Sequence, residues 1–347
     1  MKSYILGLLL LIPASVAPTD FSNALPIRNV AQAAVAELPP YAPRTKLTGE
    51  LRVTFETSAE PLVNLWVERF SKYHPGLEVI AKGTSPLASE PMVASGAYDI
   101  GFPARELWPS EEENFRRIRG YDPWVLRVGL GAYRTAGLTP ALGVFVNAKN
   151  PLDRITLDQL DAIYSSERRR GYPKDIKTWG DLGATGEWSN RPIEPYTHRL
   201  PNGIDYFIQR VVTNGADFKK SVAQLPMRRG KLGPDELVAQ VAAQNPAAIG
   251  FGCLGNAIPG MKILALAQTS AGPYLTGTLE EVKSMRYALA RPLYIVIDRE
   301  PGSALPPKVA EFLAFVLSRE GQDAFADSNG WLPLPAGVAL AERARVK

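Results

Sequence analysis

"AAIGFGCLGNAIPGM", residues 247–261, contains a literal G-x-G-x-x-G in Gly250, Gly252 and Gly255. The small apolar run Ala247, Ala248 and Ile249 ahead of it predicts a strand. Two folds depend on how this stretch is read. It is either a dinucleotide-binding fingerprint or a buried strand that leaves through a tight turn, with the ligand bound elsewhere. The fingerprint needs a helix opening on its last glycine, because the pyrophosphate rests on that helix N-terminus. Asn256, Pro259 and Gly260 follow at once, and no helix runs through them. The acidic ribose ligand belongs about 20 residues further on, yet 265–278 holds neither Asp nor Glu. The glycines therefore read as close packing and a tight strand exit.

On either side of this stretch, strands and helices alternate. Strands are expected over 51–58, 77–83 and 98–104, with helices over 61–76 and 86–96 between them. In the first helix Leu62, Trp66, Phe70 and Tyr73 share a face, and Pro75-Gly76 stops it. A second unit follows, with strands over 141–150, 192–199 and 247–254 and helices over 156–166, 203–212 and 234–244. A long strand (289–298) and a helix (307–318) close the chain. This alternation predicts an α/β fold with largely parallel sheets, and 347 residues are enough for two lobes.

Composition narrows the function classes. The chain is 46% hydrophobic and 21% charged, as expected for a globular protein. Met1-Lys2 and the uncharged apolar run from Tyr4 to Val16 read as a secretory signal, too short for a membrane span. Cleavage is expected near Ala36, followed by a Pro-rich flexible lead-in. Cys253 is the only cysteine, so no internal disulfide forms, and in an apolar strand it reads as core. The two histidines, His74 and His198, lie far apart, so no histidine-rich metal site is expected. No G-x-S-x-G, S-x-x-K or P-loop occurs, and no cofactor is expected. Arginine clusters at 115–119, 167–170 and 227–230 sit on different elements and read as solvated faces, not a nucleic-acid surface. The net charge of +4 suits an anionic ligand.

Three expected helices begin just after a strand with a polar residue at the junction. Ser58 precedes the first, and Thr84-Ser85 precedes the second with Pro86 at its first position. Asn202 precedes the third, with Asp205 three residues on. Free N–H groups and the helix dipole make such N-termini ready anion sites. Helices that follow parallel strands start at the same sheet edge, so the three could converge on one cleft. Each cap also has an ordinary structural reading. Arg105, at the end of the 98–104 strand, supplies a planar fork suited to oxyanions, or else pairs with a neighbour such as Glu106.

From about residue 50 to 335 the chain resembles the periplasmic phosphate-binding proteins of ABC importers. "AKGTS" (81–85) with "GAYDIGFPARE" (96–106) is similar to the family's Gly-Ser-rich turn and D-I-G-x-S-R/D strand end. "ALGVFVNAKNPLDRITLDQLDAIYSS" (141–166) with "TWGDLG" (178–183) resembles the entry into the second lobe. "THRLPNGIDYFIQRVV" (197–212) occupies the place of the Arg-x-x-x-Ser-Gly-Thr helix start. The resemblance implies an α/β, two-lobed, type II periplasmic binding protein-like fold. Each lobe would be a mostly parallel sheet with flanking helices, and the hinge would have two strands, "ALGVFVN" and "PLYIVID". It implies a signal over 1–36, a lead-in over 37–48, lobe one over 49–140 plus 290–347, and lobe two over 141–289. The function implied is non-enzymatic capture of phosphate or a related oxyanion in the periplasm by a soluble monomer that delivers it to ABC permease subunits. A member that lost transport and serves as a sensor or interaction protein, or a phosphoesterase, are the alternatives. Carried over by position, Ser58, Thr84, Ser85, Arg105, Asn202 and Gly203 are ligand contacts, with Arg199 or His198 as the second-lobe contact. Ala104, Asn202 and Ile204 depart from the family pattern, removing hydroxyls and an acceptor.

Overall fold

The computed structural model describes residues 35–328 and 330–346. The expected export signal lies outside the described residues except for its last two. In the first lobe the order is β1 (Thr48–Glu56), α1 (Glu60–Ser71), β2 (Gly76–Thr84), α2 (Ser89–Ala94), β3 (Ile100–Phe102), α3 (Pro109–Arg119) and β4 (Trp124–Leu130). The second lobe holds β5 (Leu142–Asn147), β6 (Arg154–Thr156), α4 (Leu157–Tyr164), β7 (Glu194–His198), α5 (Gly203–Val211) and β8 (Ala223–Leu225). It continues with α6 (Pro234–Gln244), β9 (Ala248–Cys253), β10 (Met261–Ala267) and α7 (Leu279–Lys283). The chain then returns to the first lobe through β11 (Pro292–Ile297), α8 (Pro307–Val316), α9 (Arg319–Asp323) and α10 (Ala336–Ala344).

Two sheets result, a five-stranded one ordered β2-β1-β3-β11-β4 and a six-stranded one ordered β6-β10-β5-β9-β7-β8. Strands that alternate with helices pair in parallel, as β1 does with β2 and β3, and β7 with β8 and β9. Strands entering from the other lobe run the opposite way: β11 is antiparallel to β3 and β4, and β5 to β9 and β10. The sheets are mixed because a strand–helix–strand connection brings the chain back to the starting edge, whereas a crossover need not. The chain passes between the sheets at residues 131–141 and 284–291. The second passage is held to the first through Gly131 N–H to Arg291 O (2.8 Å) and to the start of β5 through Leu142 N–H to Leu289 O (3.1 Å).

The opening motif is structural. Gly250 and Gly252 lie within the fully buried β9, and a 3₁₀ turn over Leu254–Asn256 follows where a dinucleotide fold would open a helix. A Cβ on Gly255 would stand 2.0 Å from the Arg134 carbonyl oxygen on the crossover, so this position tolerates no side chain. Cys253 is buried in β9, and burial pushes its thiol up to about 12, which leaves it inert.

Three local expectations are corrected. On α1, Leu62, Trp66 and Phe70 are buried as the periodicity predicts, but Tyr73 lies past the helix end and is exposed. The second helix starts at Ser89, not Pro86. Pro91 allows only one turn before it, because its ring clashes with the carbonyl four residues back in a helix interior. Residues 86–88 form a turn closed by Ala88 N–H to Ser85 O at 2.9 Å. The segment 37–48, expected as a flexible lead-in, is docked on the first lobe. Leu38, Tyr41 and Leu47 are buried in its core, and the Tyr41 hydroxyl donates to Glu311 at 2.6 Å. Pro39, Pro40 and Pro43 restrict the free chain here, so ordering it costs less entropy. Among the described residues no helix is long and apolar enough to cross a membrane.

Candidate functional site

A cleft of about 510 Å³ opens where the two lobes meet. Lobe one contributes the end of β1 (Glu56, Ser58) and the loop after β3 (Ala104, Arg105). Lobe two contributes the first residues of α5 (Gly203, Ile204) and of α6 (Asp235, Glu236), and Arg291 enters from the second crossover.

The α5 N-terminus is the best-built part. Asn202 is its N-cap in extended backbone, and its Oδ1 accepts from Asp205 N–H at 2.9 Å. Its Nδ2 donates to Asp205 Oδ2 at 2.6 Å and to the Arg199 carbonyl at 3.2 Å. A carboxylate only accepts, so this network fixes which end of the Asn202 amide faces which partner. Asp205 Oδ2 also accepts the His198 N–H at 2.9 Å and lies 3.3 Å from His198 Nδ1. His198 Nε2 donates to the Pro234 carbonyl at 3.1 Å. Burial works against the imidazolium, but the Asp205 carboxylate and the Pro234 carbonyl outweigh it, so the His198 pKa is raised. The N–H groups of Gly203 and Ile204, both at the cleft, have no intrahelical partner.

Arg105 reaches the cleft but is not free. Its Nη1 donates to Glu111 Oε2 (2.8 Å) and the Glu106 carbonyl (2.6 Å), and its Nη2 to Glu111 Oε1 (2.9 Å) and the Pro86 carbonyl (3.3 Å). The planar fork expected for an oxyanion is filled by a buried carboxylate of the same chain. Glu111 also accepts the Trp108 N–H at 2.7 Å at the start of α3. Arg291 donates through Nη2 to Glu106 Oε1 at 2.8 Å and to the Gly203 carbonyl at 3.4 Å. Arg291 Nε, Trp108 Nε1 and Glu106 Oε2 are buried atoms without a hydrogen-bond partner. A Cβ on Gly203 would stand 3.6 Å from both Arg291 Nη2 and Trp108 Nε1, an ordinary contact distance, which places these donors beside the α5 N-terminus. At α6, Asp235 Oδ1 accepts the Cys253 N–H at 2.7 Å, and burial raises the Asp235 pKa.

The structure brings Ser58, Arg105 and Gly203 to one cleft, with Asn202 directly behind Gly203. Ser58 is not a helix cap: the Glu56 carboxylate accepts both the Ser58 N–H and its hydroxyl. Thr84 faces Thr54, Oγ1 to Oγ1 at 3.0 Å, and the exposed Ser85 Oγ accepts the Leu87 N–H at 3.3 Å. Because α2 begins at Ser89, neither residue caps it. Arg199 is exposed, its N–H bonded to the Leu225 carbonyl, and His198 is the buried member of that pair. Thr84, Ser85 and Arg199 do not line the cleft. Sequence reasoning missed Arg291, Glu111, Trp108 and Asp235, and it offered Glu106 as the partner of Arg105, whereas the Glu106 carboxylate pairs with Arg291 and Arg105 with Glu111. An arginine opening the apolar strand "RPLYIVID" was the available signal for Arg291.

Among the described residues no group of His, Cys, Asp and Glu converges to hold a metal ion. The PBP superfamily domain matches residues 41–320. The phosphate-binding protein PstS of two Pseudomonas aeruginosa strains is 28% identical over 303 residues, covering 87% of this chain and 88% of the relative. Two solved structures share the fold. The ABC-type phosphate transport receptor of Vibrio cholerae has a TM-score of 0.50 at 18% identity, over 81% of this chain and 99% of the receptor. PstS from Borrelia burgdorferi has a TM-score of 0.52 at 20% identity, over 82% of this chain and 98% of that protein. The chain, with two mixed sheets, a double crossover and a cleft between them, belongs to the PBP superfamily.

Proposed function

We propose that this protein is an exported solute receptor that captures phosphate or a related oxyanion between its lobes and delivers it to an ABC permease. The observation that carries the reading is the meeting of the α5 N-terminus, Arg291 and the Arg105 loop in one interlobe cleft. Helix N–H groups and guanidinium N–H groups are the donors an oxyanion needs. The PstS relatives, aligned over most of both chains, are named as phosphate-binding, and homology to a substrate-binding protein implies a non-enzymatic role. The export signal expected over 1–36 fits a periplasmic location. A ligand that binds only the folded state stabilises it by RT ln(1 + [L]/Kd), about 2.7 kcal/mol at a hundredfold excess over Kd. Phosphate, arsenate or a phosphonate is therefore expected to raise the melting temperature, whereas sugars and NAD are not. Melting unmoved by every tetrahedral oxyanion would falsify this reading.

A further inference from the structure

The cleft holds more acid than an anion receptor needs. Its lining includes the carboxylates of Glu56, Asp235 and Glu236 beside the guanidiniums of Arg105 and Arg291. Both guanidiniums are already paired, Arg105 with Glu111 and Arg291 with Glu106, each at 2.8 Å. The three lining carboxylates make no ion pair among the described residues. Glu56 accepts only from neutral groups of Thr57 and Ser58, and Asp235 only from the Cys253 amide. The unused donors lie at the opposite chemistry. Arg291, 5% exposed and lining the cleft, keeps an unpartnered Nε–H, and Trp108 Nε1 is likewise unpartnered beside Gly203.

We infer that the ligand is an oxyanion that carries its own cationic amine. Its anionic head sits on Gly203 and Arg291, with Trp108 beside them, and its ammonium sits against Glu56 and Glu236. This inference rests on the oxyanion reading above and narrows it. A lone oxyanion would satisfy the donors but bring its charge towards Glu56 and Glu236, which make no ion pair, a repulsion that discriminates against it. A zwitterion leaves neither set unsatisfied. The cleft volume of about 510 Å³ also falls in the range of organic-ligand pockets.

Titration calorimetry with three probes tests this: 2-aminoethylphosphonate, ethylphosphonate and inorganic phosphate. The first two share a head group and carbon chain and differ in the ammonium. The amino form is expected to bind at least tenfold more tightly than ethylphosphonate. That preference should shrink severalfold in Glu236→Gln and Glu56→Gln, each checked for an unchanged fold by circular dichroism, while ethylphosphonate binding holds or tightens. If ethylphosphonate or phosphate binds wild type as tightly as the amino form, the zwitterion inference is overturned and the oxyanion reading stands. If the preference persists undiminished in both variants, the cationic end is wrongly assigned and the inference is again overturned. If none of the three probes binds, the zwitterion inference is overturned, and the oxyanion reading falls with it when melting is also unmoved by every tetrahedral oxyanion.

Discussion

Arg105 and Glu111 expose 8% and 7% of their side chains and join through two parallel hydrogen bonds. Removing one partner of such a pair leaves a buried charge without compensation, at a cost of about 3–5 kcal/mol. Arg105→Ala is therefore expected to lower the unfolding free energy by that amount in urea titrations. The double variant Arg105→Ala with Glu111→Gln is expected to recover part of the loss, because the stranded carboxylate is gone. A single-variant loss under about 1 kcal/mol, the range of an exposed pair, would contradict the geometry. At this position the family pattern points to ligand binding, whereas the four Nη donor contacts point to stability.

Among the elements, α5 matters most, because its first turn forms one wall of the cleft. Asn202 uses both ends of its amide, accepting from Asp205 N–H and donating to the Asp205 carboxylate. Loss of an N-cap costs about 0.5–2 kcal/mol, so Asn202→Ala is expected to lower stability by that much and to weaken oxyanion binding. Asn202→Asp keeps the cap acceptor but sets a second carboxylate against Asp205. Although aspartate is as good an N-cap as asparagine in general, here it should be measurably less stable than wild type in thermal melts. Equal melting temperatures for the two would show that the donated hydrogen bond contributes nothing.

Across the whole molecule, light contacts join the lobes at the cleft edge. Arg210 of α5 donates to Glu112 (2.8 Å) and to the Leu107 carbonyl (3.1 Å), and the Trp108 and Tyr206 rings sit 5.3 Å apart. The Arg210–Glu112 pair is partly exposed, and such pairs contribute about 0–1 kcal/mol. A closure that uses such an exposed pair is shifted by a ligand or a substitution. Arg210→Glu places like charges across the gap. Without ligand it is expected to increase the radius of gyration in small-angle scattering, and a saturating oxyanion should reduce it again by closing the hinge. An unchanged radius would mean that these contacts do not hold the lobes together.

The sequence by itself determined the α/β class, the strand and turn at 247–261, the cap at Asn202 and the burial of Leu62, Trp66 and Phe70. These follow from periodicity, turn chemistry and capping, which act over a few residues and so are written in neighbouring positions. It also pointed to Ser58, Arg105 and Gly203, which the fold does bring to the cleft. Only the tertiary structure decided what those groups have left to give a ligand. Arg105 meets Glu111 six residues on, at the start of α3, whereas Arg291 meets Glu106 across 185 residues of chain. The docking of Tyr41 on Glu311 spans 270 residues. Whether a donor is free or already occupied depends on which carboxylate the packing places beside it. For Arg291 and Tyr41 that is set by contacts between distant segments, and no local pattern in the chain records it.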